Sequence, residues 1–128
     1  MCEDAGGFRL LQSVMRPAEV VQRWLSAWAV KDRDSLNRLL PPTSVVHASE
    51  PPELAADYTG FAAVERYFLR KAELRDAFTW EAGDPIEAGP FVVVPFRLSD
   101  ASGAEWWQVA VYRIDNDHIA EIWLHEEP

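Results

Sequence analysis

Most of the features that announce a function are missing from this chain. It holds a single cysteine, Cys2, so no intrachain disulfide can form. No neighbouring residue suggests an activated thiol. Of its 128 residues only 12 are Lys or Arg, against 21 Asp or Glu. The basic residues are scattered singly, whereas a phosphate backbone calls for clusters, so a nucleic-acid partner is not expected. The net charge of −9 would also be repelled by an anionic membrane. No apolar run approaches the ~20 residues of a membrane span. The N-terminal stretch is acidic and too weakly apolar for a secretory signal, so the expected compartment is cytoplasmic. His47, His118 and His125 lack short metal-motif spacing. The run Asp115, Asn116, Asp117 lacks the glycine and final glutamate of a calcium loop. No metal and no cofactor is expected.

Aromatics are abundant instead: six tryptophans and six phenylalanines. That much flat apolar surface fills a large core, lines a pocket or builds an interface. The length suits one domain with a core of its own. Residues 1–16 read as an N-terminal tail, and 17–128 as a single domain.

Pro17 suits the first turn of a helix. Val20, Val21, Trp24, Leu25 and Trp28 then recur at helical spacing. Asp32 is a candidate N-cap for a short second helix, stopped by Pro41 and Pro42. Ser44 to Ala48 can form a strand, and Glu50 to Thr59 reads as a loop. A third helix starts at Thr59 or Gly60 and carries Phe61, Val64, Tyr67 and Phe68 on one side. Thr79 to Ala88 contains Pro85 and reads as irregular or as an edge. Pro90 to Ser99 is a stronger strand. The stretch from Trp106 onward reads as two long strands joined by a tight turn at Asn116 and Asp117. Helices followed by a run of antiparallel strands give an α+β layout.

The segments RWLSAWAVKDRDSL, SVVHASEP, TGFAAVERYF, VVVPFRL and VAVYRIDNDHIAEIWL, in this order and spacing, carry a family likeness. The chain resembles the SnoaL-like and ketosteroid isomerase-like members of the nuclear transport factor 2-like superfamily. The resemblance covers nearly everything from Pro17 to Glu126. It implies a cone-shaped curved antiparallel sheet wrapped around helices, a cystatin-like α+β barrel with an internal cavity. It also implies dimerisation through the convex face.

Aligned on these segments, the acid-base positions of the steroid isomerases fall at Trp24, Ala48, Phe68 and Ala110. None keeps the tyrosine hydroxyl or the carboxyl of that mechanism. The Asp-Arg-Asp set of limonene epoxide hydrolases is also incomplete. Its last aspartate falls near Leu124, and Ser99 stands where Arg97 would need a carboxylate. His125 and Glu126 lie close to the region where polyketide cyclases carry an aspartate.

Alternation along the last hairpin puts Gln108, Ala110, Tyr112, Ile122 and Leu124 on one face. Trp107, Val109, Val111, Arg113, Glu121, Trp123 and His125 fall on the other. The resemblance points the first set into the cavity. Trp24, Trp28, Phe68, Phe96, Gln108 and Tyr112 are therefore the candidate ligand-binding residues, and a small, largely apolar organic molecule is the expected ligand. Tyr112 can donate to a ligand oxygen. His47 is the candidate proton carrier, beside the isomerase base position, although parity with Val46 and Ala48 turns it outward. Asp57 and Tyr58 lie in the loop expected over the cavity mouth. Trp107, Val109, Val111 and Trp123 form an apolar patch suited to a homodimer. Three readings stay open. The first is a binding protein with an aromatic-lined cavity. The second is an isomerase, polyketide cyclase or hydratase using His47 or Tyr112 with Asp57 or Glu126. The third is a non-catalytic dimerisation module filled by its own tryptophans.

Overall fold

A computed structural model describes residues 15–74 and 78–127, the last of these by its backbone. Most of the expected tail, residues 1–14, lies outside the described residues. Its last two residues are tied down: the Met15 N–H donates to Asp117 Oδ1 at 3.0 Å, and Arg16 Nη2 donates to Glu87 Oε1 at 2.6 Å.

The helix α1 (Pro17–Ala29) opens with Pro17 in its first turn, and the Arg16 N–H is satisfied by Glu19 Oε1 at 2.8 Å. Its buried stripe is Val20, Val21, Trp24 and Ala27. The short α2 (Arg33–Leu39) is capped by Asp32, whose carboxylate accepts from the Ser35 N–H at 3.2 Å. Strand β1 (Val45–Ala48) follows the two prolines. A 3-10 turn (Pro52–Leu54) then leads into β2 (Ala56–Thr59), which pairs antiparallel with β1. The loop expected over Glu50 to Thr59 is thus partly a strand. Its polar residues sit on an edge, where one side of the ribbon faces water and no apolar alternation is required.

Gly60 joins β2 to α3 (Phe61–Leu74) at φ +81°, a left-handed conformation that suits glycine. Its N–H closes the junction by donating to the Ser44 carbonyl at 2.8 Å. Thr79 to Ala88 resolves into two short strands, β3 (Thr79–Ala82) and β4 (Ile86–Ala88), with the break at Gly83 to Pro85. Both pair with the long β5 (Phe91–Ser99). β6 (Glu105–Asp115) and β7 (His118–Glu127) complete the sheet. Asn116 and Asp117 take φ of 51° and 66° in the two-residue turn between them, as such hairpins demand.

The sheet runs β2-β1-β7-β6-β5-β3. Every pairing is antiparallel except β1 on β7, which is parallel. The sheet is thus antiparallel apart from that one junction. The connection from β1 to β7 passes through α3 and the other strands, so nothing forces the two to oppose each other. Among the described residues the result is a mixed α+β domain: a curved open sheet with three helices. Along β6 burial alternates, with Trp106, Gln108, Ala110, Tyr112 and Ile114 inward. No described helix is long and apolar enough to cross a membrane.

Candidate functional site

The inward face of the sheet, α1 and α3 enclose a cavity of about 190 Å³. α1 contributes Trp24 and Trp28, one helical turn apart, with rings edge-to-face at 5.7 Å. α3 contributes Phe68, whose ring meets Trp28 edge-to-face at 5.2 Å. The sheet contributes Phe96 and Leu98 from β5, Gln108 and Tyr112 from β6, and Ile122 and Leu124 from β7. The geometry thus brings together all six candidate ligand-binding residues around one space.

Sequence reasoning missed Leu25, Lys71, Ala72, Phe78 and Trp80 among the lining residues. Trp80 comes from the stretch read as irregular, and Phe78 lies just before it. Lys71 comes from α3 and is the more consequential, because it is only 1% exposed. It forms an ion pair with Glu126, itself 3% exposed, and its Nζ donates to Gln108 Oε1 at 2.8 Å. The Phe78 and Tyr67 rings flank the ammonium, with centroids at 5.3 Å and 5.8 Å. A signal for this group was present in the sequence. Lys71 continues the stripe of Phe61, Val64 and Tyr67 on the buried face of α3. Glu126 shares strand parity with Ile122 and Leu124. Charged residues at core-facing positions are the ones to query.

Tyr112 is 2% exposed, and burial pushes its phenol above the ordinary value. It is therefore a neutral hydroxyl at any ordinary pH, a donor rather than a base. Among the described residues no partner meets that hydroxyl, and it lines the cavity.

The structure places His47 elsewhere. It faces the outer side of the sheet, as its parity indicated. Nδ1 is 2.8 Å from Asp57 Oδ1 and Nε2 is 2.6 Å from Glu121 Oε2. Its ring stacks on Trp123 at 5.5 Å. The bond to Glu121 leads the effects that raise its pKa, and Asp57 adds to them. Glu121 also accepts from Arg113, at 3.1 Å and 3.2 Å, and its pKa is lowered, chiefly by His47. His47 and Asp57 are thus held together on the far side of the sheet from Tyr112. Tyr58 is likewise not a cavity residue: its hydroxyl donates to the Leu54 carbonyl at 2.5 Å and its ring packs on Tyr67.

A larger open groove of about 700 Å³ runs outside, between α1, α2 and the β6–β7 turn. Its walls carry Glu19, Arg23, Asp32 and Arg38, and Asp32 is already engaged in capping α2. Size alone favours this groove, but it is open and charged. Its aromatic, largely apolar lining makes the interior cavity the better candidate. Among the described residues no group of three or more His, Cys, Asp or Glu could hold a metal ion.

A model of the SnoaL-like domain family matches residues 21–122. No curated protein matches the sequence. Several solved structures share the fold. A cystatin-like protein of unknown function from Xanthomonas campestris superposes with a TM-score of 0.76 at 18% identity, covering 89% of this chain and 92% of its own. A candidate polyketide cyclase from Sinorhizobium meliloti gives 0.70 at 18% identity, covering 84% and 94%. IdmH of Streptomyces antibioticus, also a candidate polyketide cyclase, gives 0.70 at 15% identity, covering 88% and 93%. At these identities the likeness is one of fold.

Proposed function

The chain belongs to the SnoaL-like domain family, and from that premise we propose that it binds a small, flat, mostly apolar organic molecule in the interior cavity. The observation that carries this reading is the interior space of about 190 Å³ walled by Trp24, Trp28, Phe68 and Phe96, with few polar groups. Drug-sized ligands occupy about 300–1,000 Å³, so the ligand is smaller, on the scale of one or two fused rings. Four aromatics packed solidly together would instead favour a purely structural module. The void between them is what supports a ligand.

The likeness in fold to candidate polyketide cyclases supports an aromatic or ring-forming substrate class. Any reaction would run on Lys71, Glu126, Gln108 and Tyr112. His47, on the outer face, is not positioned to reach the ligand.

Binding tests the proposal directly. Titration with bicyclic aromatic compounds should quench tryptophan fluorescence and raise the melting temperature by mass action. A panel of such compounds producing neither effect would remove the cavity as a ligand site.

The protein is also proposed to pair with a second copy through the outer sheet face. Trp107 is 56% exposed there, beside the partly exposed Val109, Val111 and Trp123, with Phe91 against Trp123. Such a patch is more apolar than a solvent-facing sheet needs to be, and a two-fold pair is the commonest way to cover it.

A further inference from the structure

Lys71, Glu126 and Gln108 form a polar end to an otherwise aromatic cavity. Gln108 and Glu126 are direct cross-strand partners on β6 and β7, and Lys71 reaches both from α3. An ammonium only donates. The contact of Lys71 Nζ with Gln108 Oε1 therefore dictates which way the amide turns. Its carbonyl is occupied, and its two N–H donors are left over. Among the described residues they meet no acceptor, although Gln108 is 6% exposed. The Tyr112 hydroxyl is likewise without a partner, and the Trp24 indole can only donate. Among the described residues the side-chain carbonyl of the lining is thus already engaged by Lys71, while donors facing the cavity remain to be satisfied.

The charges matter as much as the donors. A neutral ligand adds no charge to this polar end. An ionised ligand would add one among aromatic rings, which is costly. A hydrocarbon would leave the donors unsatisfied. A ligand whose polar group only donates would meet N–H groups with its own N–H.

We infer that Lys71, held by Glu126, is a positioning residue that locks the Gln108 amide with its N–H groups toward the cavity, and that the cavity thereby selects neutral flat molecules bearing a carbonyl-type acceptor oxygen. The inference rests on the cavity being a ligand site, as proposed above. It adds what the ligand must carry and which residues enforce it.

Three bicyclic probes of similar size separate the terms by calorimetric titration. 1-Tetralone carries an acceptor only, tetralin neither donor nor acceptor, and 1-naphthylamine a donor. 1-Tetralone should bind at least about ten-fold tighter than either of the others, as one hydrogen bond to a donor facing the cavity implies. The variant Lys71→Met/Glu126→Gln removes both charges together and frees the amide to turn. Its preference for 1-tetralone over 1-naphthylamine should fall to about two-fold or less. Loss of packing alone would weaken all three probes alike and leave the ratios unchanged, and that result would overturn the inference. Equal binding of the three probes by the unaltered protein would overturn it too, leaving the cavity as a ligand site. If no probe binds, the ligand-site reading falls, and this inference falls with it. The probe series on the unaltered protein decides the matter even where the double variant does not fold.

Discussion

Gln108 and Glu126 face each other across β6 and β7, and both meet the single ammonium of Lys71. A buried ion pair is poor evidence of stability, because desolvation of the two ions offsets their attraction. Breaking it is another matter. Lys71→Met would take the Lys71 ammonium away from the buried Glu126 carboxylate. We expect a loss of about 3–5 kcal/mol. Lys71→Met/Glu126→Gln should recover most of it, since neither charge of the pair then remains to be buried. Urea unfolding of the two variants checks this, provided that both give the same denaturant slope. A double variant as unstable as the single one would show that packing, and not charge, sets the cost.

The outer face holds a second ionic group, His47 between Asp57 and Glu121. The folded state raises the pKa of His47 above its ordinary 6.5, chiefly through Glu121. A raised value favours the protonated form on folding, so this contribution is fully present below about pH 6.5 and is lost as pH rises through the folded value. Glu121 is shifted the other way, below its ordinary 4.5, mainly by His47. Its contribution is present above about pH 4.5 and is lost as pH falls through the lowered value. The pair therefore helps most between these limits. Comparing melting temperatures of the protein and His47→Gln between about pH 5 and about pH 9 should show a gap that narrows toward the alkaline end. The group is partly exposed, so the gap should stay near or below about 1 kcal/mol. A gap that is constant with pH would mean that the ring stacks on Trp123 without carrying charge.

Trp107 offers the most direct test of the second copy. Trp107→Glu puts a carboxylate into the centre of the apolar patch, where a second copy would have to desolvate it. The dimer dissociation constant should rise by about 30-fold or more, the equivalent of a hot-spot loss of about 2 kcal/mol. Sedimentation at micromolar concentration reads this directly. An unmutated protein that is already a monomer there removes the proposal.

The fold was legible where periodicity is strong. The helical spacing of Val20, Val21, Trp24, Leu25 and Trp28 placed α1. Alternation placed both faces of β6 and the turn at Asn116. It was illegible where tertiary context decides. β2 has no apolar face of its own, because it is an edge that borrows its pairing from β1. β3 and β4 are each too short for alternation to show. The aromatic walls of the cavity followed from the same periodicities plus the family likeness. The polar end did not, because Lys71 looks like an ordinary helix lysine until its position in the stripe of Val64 and Tyr67 is noticed. His47 illustrates the opposite case. Its residue type suggested chemistry, while its parity pointed outward, and parity gives the orientation seen.

Steroid isomerisation should be absent. Moving a proton along a ketosteroid needs a carboxylate base at the substrate's reacting carbons and a strong donor at its carbonyl. Ala48 and Ala110 stand at the aligned positions, and both are buried with no titratable group. Tyr112 can donate, but burial raises its pKa, so it is ill-suited to exchange a proton near neutral pH. Glu126 is already paired with Lys71. Space argues the same way, since a cavity of about 190 Å³ is small for a four-ring skeleton. Incubation with a β,γ-unsaturated ketosteroid should give no more conjugated product than buffer alone. Conversion well above buffer and abolished by Tyr112→Phe would show that this cavity opens wider and runs isomerase chemistry on a different set of groups.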